Sequence, residues 1–415
     1  NVPQRGESAG GRDGVTTYAK VPAMEDPPII QNNPRKTVGI FALASFLHDM
    51  GADMVFSVWP LFLTQVLGAN MAVVGLIDGL GDAIVSISQA ISGYIADRIR
   101  RRKVFVWMGY FFGGIAKIGY ALSPTWHFII PFRVLDRSGK MRGAPRDAII
   151  AEVSTHANRG RHFGMLRMMD NGGAVIGILL ALVLLPLLNY RAMFLLAAIP
   201  SMLSVLLVLF FIRERRGAKV NLFRGIRLSD LNGNLRLYFL LSALFSLATF
   251  SYSFLLLAAK HFGFATGSIP LLYLIFSVVA ALGSFPFGRI SDRVGRKPVL
   301  LFSFLCWVLV AAIFIHMQSK AGIIIAFVLY GIHTAALDPV QKSFVAELAP
   351  KNFVASTMGG YQMVIGLCSL PASLIAGRLW DVFGITAPFT LSAILTSIAA
   401  FLLFFVRESK TDHIA

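Results

Sequence analysis

The chain has 415 residues, 56% of them hydrophobic and 14% charged, with a mean hydropathy of +0.69. A water-soluble domain needs more charge than this to cover its surface, so most of the chain is expected in lipid. The formal net charge of +17 sits mainly in short connections between apolar runs, the pattern of cytoplasmic loops facing anionic lipid, which argues against nucleic-acid binding.

Residues 1–35 are polar, mix both signs of charge with Pro and Gly, and contain no apolar core for a cleavable leader. A disordered cytoplasmic tail is expected there. Beyond it, a spanning helix needs about 20 apolar residues. Runs of that kind predict twelve spans, at 37–66, 71–96, 104–122, 126–152, 162–189, 191–212, 236–262, 267–290, 298–317, 321–348, 353–380 and 385–406. Trp59-Pro60 is expected to kink the outer end of span one, and span four is crowded with charge. Cys306 and Cys368 both lie inside apolar runs, so no disulfide framework is implied.

The connections fix the orientation. Arg98, Arg100, Arg101, Arg102 and Lys103 follow span two, and Arg213, Arg215, Arg216, Lys219, Arg224 and Arg227 follow span six. The connections at 67–70 and 123–125 carry no Lys or Arg. By the positive-inside rule both termini are expected in the cytoplasm, for a multi-pass protein of the plasma (bacterial inner) membrane. The chain also repeats itself. Gly93-Tyr-Ile-Ala-Asp97-Arg98 is echoed by Gly288-Arg-Ile-Ser-Asp292-Arg293, an offset of 292 − 97 = 195 that also maps Arg101 onto Arg296 and Ala151-Glu152 onto Ala346-Glu347. Two six-span halves, 36–212 and 236–406, joined by a basic cytoplasmic linker at 213–235 and followed by a tail at 407–415, account for this register. Such repeats place a binding site near the midplane between the halves.

The echoed residues resemble the major facilitator superfamily, whose hallmark loop is Gly-x-Leu-x-Asp-Arg-x-Gly-Arg-Arg/Lys. The second copy matches with Gly288, Asp292, Arg293, Gly295, Arg296 and Lys297, and has Ile290 for Leu. The first matches with Gly93, Asp97, Arg98, Arg101 and Arg102, with Arg100 at the inner Gly. The resemblance runs from about 37 to 406 and implies an all-α membrane protein of twelve transmembrane helices in two pseudo-symmetric six-helix bundles. It implies a secondary active transporter working by alternating access. Asp136-Arg-Ser-Gly-Lys140, Ala144-Pro-Arg-Asp147 and Leu370-Pro-Ala-Ser373 resemble a widespread bacterial, proton-coupled branch. That branch carries one more Gly after the position of Lys140, and its absence turns the flanking charges by about 100° if the segment stays α-helical. Arg133, Gly139 and Gly173-Ala-Val-Ile-Gly177 match half of the drug/proton antiporter signature, with Ile178 in place of its Pro. Import and export stay open.

An ionisable side chain at the bilayer centre costs about 2.5–3.5 kcal/mol or more, so it is expected to be functional or paired. Span one has His48, Asp49 and Asp53, span two has Asp78 and Asp82, and span five has Arg167 and Asp170. Span four alone has Arg133, Asp136, Arg137, Lys140, Arg142, Arg146 and Asp147, and span ten has His333, Asp338 and Lys342. Asp49 and Asp53 are four apart and share a helix face. The expected proton-coupling carboxylate is Asp53, followed by Asp49 and Asp82. Substrate contacts are expected from Arg133, Asp136, Arg137 and Lys140, faced by His333, Tyr361 and Gln362, with Tyr252 beside them. A salt-bridge network locking spans one, two, four and five is the competing reading of the same charges. Asp97, Arg98, Arg101 and Glu152 in one half, and Asp292, Arg293, Arg296 and Glu347 in the other, are expected to form gates.

No Gly-x-x-x-x-Gly-Lys-Ser/Thr loop is present, so neither an enzyme nor ATP-driven transport is expected, and no cofactor is called for. The expected activity is proton-coupled movement of a small charged or zwitterionic organic solute, because guanidinium groups hold carboxylate and phosphate well. The expected partners are that solute, protons and membrane lipid, around a monomer. The alternatives are a divalent-metal carrier using His48, Asp49 and Asp53, a drug or siderophore exporter, and a sensor or lipid-handling protein on the same fold.

Overall fold

The computed structural model describes residues 33–99, 101–154, 159–214, 232–349 and 354–408. Of the expected tail at 1–35, residues 1–32 lie outside the described residues, as do 215–231 of the linker and 409–415; Pro34 and Arg35 already belong to the first helix, and the linker's Gly233 to Leu235 to the seventh span. Twelve spans alternate in direction, and eleven of them contain a helix long and apolar enough to cross a membrane.

Span one is the helix Pro34–Phe56, started by the Asn33 side chain, which accepts from the Arg35 N–H at 3.0 Å. It stops at Ser57, restarts over Trp59–Leu61 and finishes in a π-turn at Phe62–Val66. Pro60 has no N–H to carry an α-helix through, so the break falls where Trp59-Pro60 predicts it. Spans two and three are Met71–Ile99 and Arg102–Leu122. Span four is the exception to the apolar rule. It runs as Trp126–Ser138, a 3₁₀ segment Gly139–Arg142 and Gly143–Glu152. The segment does not stay α-helical, so the 100° turn does not apply as such: the 3₁₀ stretch advances about 120° per residue instead of 100° and offsets much of the phase of the missing Gly.

Spans five and six are Arg159–Leu184 and Tyr190–Phe211. Span seven is broken into Gly233–Ala248 and Tyr252–His261. The Ser251 side chain caps the second piece by accepting from the Ser253 N–H at 3.2 Å. Spans eight to twelve are Ile269–Val294, Arg296–His316, Lys320–Leu348, Val354–Phe383 and Thr386–Leu403.

Small residues set the closest crossings, as expected where lipid gives no hydrophobic drive between helices. A Cβ at Gly173 or Gly177 would collide with the Phe46 or Met50 carbonyl oxygen of span one. The half-antiporter signature in span five is thus a helix-packing surface. Spans two and eleven cross between the halves, where Gly75 and Gly79 lie against the backbone of Ser373 and Leu370. The Leu370-Pro-Ala-Ser373 motif forms that crossing.

The repeat is visible in the hydrogen bonds at one membrane face, called here the loop face. Glu214, just past span six, accepts from the backbone N–H groups of Arg102 (2.7 Å) and Lys103 (3.1 Å) at the start of span three. Glu408, just past span twelve, accepts from the Arg296 N–H at the start of span nine. These carboxylates satisfy helix N-terminal donors that would otherwise be orphaned. Arg102 Nη1 pairs with Glu152 at 2.7 Å and Arg296 Nε with Glu347 at 2.7 Å. The equivalent of Arg296 is therefore Arg102, which corrects the expected match to Arg101 by one residue. Gly295, at φ +98°, closes the second loop in a left-handed conformation that favours glycine. The first loop takes one residue more.

Candidate functional site

The two halves touch in the membrane leaflet away from the loop face. Asp381 at the end of span eleven accepts from the Met71 N–H (3.1 Å) and Ala72 N–H (2.8 Å) at the start of span two. Asp78 of span two accepts from Ser251 Oγ (2.8 Å) and Ser253 Oγ (2.5 Å) at the break in span seven. The Tyr252 hydroxyl donates to the Phe56 carbonyl at 3.1 Å, and the Tyr273 hydroxyl donates to Asp53 at 2.9 Å. Among the described residues, the hydrogen bonds between the halves all belong to this set, away from the loop face.

On the open side the halves part around a vestibule of about 700 Å³. Its walls include Asp49, Asp53, Asp82, Arg137, Lys140 and Arg142. Deeper, a cavity of about 240 Å³ lies at the midplane. One wall has Asp78, Asp82, Arg133 and Arg137 from spans two and four. The other has Tyr252, Trp307, Tyr330, His333 and Asp338 from the second half. Asp82, Arg137 and Tyr252 line both spaces. Broken helices supply this site because irregular backbone is tolerated at membrane depth only where it lines a cavity.

The charges of the first half divide into engaged and unengaged groups. Arg133, 1% exposed, pairs with Asp78 at 2.7 Å and lies 4.6 Å over the Trp59 ring. The same Asp78 oxygen accepts from Trp59 Nε1 at 2.9 Å. Arg142 stands 3.5 Å from Asp49, and Arg146 reaches Asp147 (3.1 Å), Asp170 (3.4 Å) and the Ser45 hydroxyl (2.6 Å). These pairs tie spans one, two, four and five together, as the network reading anticipated. Arg137 has only a 3.7 Å approach from Nε to Asp136 and lies 4.4 Å over the Phe56 ring. Among the described residues its terminal nitrogens have no hydrogen-bond partner, Lys140 and Asp82 have no ion pair, and Asp53 has only Tyr273.

Other expected site residues sit apart. Asp136 is buried beside His48 and Gly113, away from both cavity walls. His48, 2% exposed, packs on Tyr110 at 5.0 Å, and its Nδ1 has no partner in the structure. Among the described residues no three His, Cys, Asp or Glu gather as a metal would need, so His48, Asp49 and Asp53 are not brought together as ligands. Tyr361 is 2% exposed and turns into a separate pocket of about 200 Å³ within the second half, its hydroxyl 3.2 Å from both the Ser242 hydroxyl and Gln341 Oε1. It does not wall the cavity between the halves, and Gln362 lines neither the vestibule nor the midplane cavity. His333 does line the midplane cavity, with Nδ1 held 2.9 Å from the Ser303 hydroxyl.

At the loop face, Arg296 bridges Asp292 (2.5 Å) and Glu347 (2.7 Å), while Arg293 is exposed. In the first half Arg102 occupies the place expected of Arg101, and the Asp97 and Arg98 side chains lie outside the described residues. Sequence reading also passed over Lys117, 1% exposed in span three, whose Nζ donates to the Gly113 carbonyl at 3.1 Å. A lone Lys in an apolar run was the available signal. The hydroxyls of Ser251, Ser253 and Tyr273 gave none, because nothing in their spacing marks them as inter-half contacts.

Two six-helix halves around a charged cavity, closed at one face and open at the other, define a membrane transporter of the two-fold-repeat type. The chain belongs to the Major Facilitator Superfamily, whose profile matches residues 41–265 and again 237–414. It is 36% identical over 382 residues to an uncharacterised MFS-type transporter of Methanocaldococcus jannaschii, covering 89% of this chain and 95% of that one. It is 25% identical over 380 residues to a multidrug resistance protein, MdtH, of Salmonella schwarzengrund (89% and 92% covered). Among solved structures it resembles a mutant form of the nucleoside transporter NupG (TM-score 0.75, 15% identity, 90% and 100% covered). It also resembles a D-xylose–proton symporter (TM-score 0.71, 14% identity, 91% and 98% covered). At those identities the structural likeness is one of fold.

Proposed function

We propose that this chain is a proton-coupled secondary transporter of a small charged or zwitterionic organic solute, standing open toward the cytoplasm, with the loop face cytoplasmic. The observation that carries the reading is that Arg137 and Asp82, both without a close ion pair across spans, line the vestibule and the midplane cavity alike. A solute entering from the loop face passes the charged vestibule and reaches them at its inner end, where it can replace part of its hydration with a guanidinium fork. The engaged pairs around Arg133, Arg142 and Arg146 hold the first half rigid while this happens.

Proton coupling is assigned to Asp53. It is the one unpaired carboxylate of span one, and its single described hydrogen bond comes from Tyr273 of the opposite half. An ionised Asp53 accepts a charge-assisted hydrogen bond, which is about twice as strong as a neutral one. Protonation therefore weakens a contact that joins the halves, and this links proton occupancy to their closure. Arg102–Glu152 and Arg296–Asp292–Glu347 act as paired gates that break when the loop face closes. The name of the multidrug resistance relative points to drugs as the cargo, but a vestibule lined by five carboxylates and six basic groups suits a charged solute better than a lipophilic one.

The test is reconstitution in proteoliposomes with a pH-sensitive dye inside. Charged organic metabolites are expected to drive proton movement, while lipophilic drugs and divalent metals are not. Asp53→Asn should abolish accumulation driven by a pH difference and leave solute exchange intact. Accumulation by Asp53→Asn with only a pH difference to drive it would place the coupling elsewhere.

A further inference from the structure

The midplane cavity has two chemically opposite walls, one from each half. On the first-half wall, Asp78 and Arg133 neutralise each other at 2.7 Å. Asp82 shares that wall, and both cavities, with Arg137. Arg137 presents terminal nitrogens with no hydrogen-bond partner among the described residues. The second-half wall has no Lys or Arg. It holds Asp338, exposed to the cavity, with no hydrogen bond and no ion pair among the described residues. Lys342, one turn along the same helix, borders the vestibule and not this cavity. Around Asp338 the wall is aromatic. The rings of Trp307, Tyr330 and His333 stand 5.3 to 6.2 Å from one another.

A carboxylate beside clustered rings is chemistry for a cation: the rings attract it through their quadrupoles, and the carboxylate supplies the counter-charge. A guanidinium with open terminal nitrogens is chemistry for a carboxylate. At about 240 Å³ the cavity is smaller than the 300–1,000 Å³ typical of drug-sized sites. We infer that this cavity takes a small zwitterion, its carboxylate on Arg137 of the first half and its ammonium between Asp338 and the aromatic wall of the second. The inference rests on the carrier reading above and adds a consequence to it. A substrate with a charge at each end bridges the halves only when both ends are present. The solute is then itself the tie that draws the loop face shut, and a molecule with one charge binds one wall without closing the other onto it.

The test uses the purified full chain and isothermal calorimetry with three matched sets of probes: free L-amino acids together with trimethylglycine, N-acetyl amino acids, and amino-acid amides. Zwitterions are expected to bind, with about 10- to 100-fold loss on removing either charge, since each deletion leaves a charged wall group without its partner. Asp338→Asn should lower affinity for the zwitterion and erase its advantage over the N-acetyl form. Arg137→Gln should erase its advantage over the amide. Monodisperse elution of both variants separates these effects from misfolding. N-acetyl or amide forms binding as tightly as their parents would overturn the assignment, as would an undiminished preference in either variant. Binding of a simple organic anion or cation with no zwitterion bound would sink this inference and leave the carrier reading standing. A protein that neither binds nor moves any solute would remove both.

Discussion

Replacing Ser251 and Ser253 together by Ala is the most direct probe of how the halves are held. Both hydroxyls donate to one oxygen of Asp78, at 2.8 and 2.5 Å, across the interface between the halves. Its other oxygen keeps Arg133 and Trp59, so the first half stays internally paired in the double variant. A hydrogen bond to a charged group contributes about 1.5–3 kcal/mol net. Two donors to the same oxygen are not additive, so about 2–4 kcal/mol should leave the closed outer face. At about 1.4 kcal/mol per tenfold, the balance between this state and an outer-open one should shift by about 30- to 700-fold. Spin labels at Leu187→Cys and Phe383→Cys, both exposed at the closed face, can follow it once Cys306 and Cys368 are replaced. The parent should give one short distance, and the double variant a second, longer population. Ser246→Ala is the matched control, because Ser246 donates to Ile365 within its own half at 2.9 Å and should leave the distances alone. An unchanged distribution in the double variant, or an equal shift in the control, would refute the latch.

Further outcomes follow from the same contacts. Asp78→Ala leaves Arg133 buried without an anion and should destabilise the first half by about 3–5 kcal/mol, seen as a lowered unfolding midpoint in detergent, and an unaltered midpoint would contradict the burial. Gly75→Val places a side chain against the Ser373 carbonyl where spans two and eleven cross, and should push the same spin labels apart. Arg102→Gln should impair transport more than Arg101→Gln, since Arg102 holds Glu152 at 2.7 Å, and the reverse order in a flux assay would restore the sequence-based register.

Eleven of the twelve spans were legible because apolar length is what the bilayer selects, the charged fourth fell between them, and the two halves were legible because the hallmark loops repeat. The partners were legible only in part. Spans two and four run in the same direction, from Met71 and Trp126 toward the loop face. Asp78 and Arg133 are each seven residues in (78 − 71 and 133 − 126), and Asp82 and Arg137 each eleven. Equal depth therefore matches Asp78 with Arg133, a pair that forms, and equally Asp82 with Arg137, which forms no close pair, so depth alone does not separate the two. Arg133 was read as a substrate contact and does line the midplane cavity, but its pairing with Asp78 was not read, because charge alone carries no depth. Tyr361 was misplaced by helical phase, which no apolar run fixes. The one-residue change at Arg102 comes from a loop that lacks the left-handed glycine of its copy, so the echo drifts where the backbone route differs.

Each half fastens itself. Glu214 returns to the start of span three and Glu408 to the start of span nine, each 112 residues along the chain from the arginine it caps. The last segment of a half is thus its own buckle. A cut between Glu214 and Asn232 leaves each buckle whole within one polypeptide, and the two pieces, expressed together, are expected to co-purify.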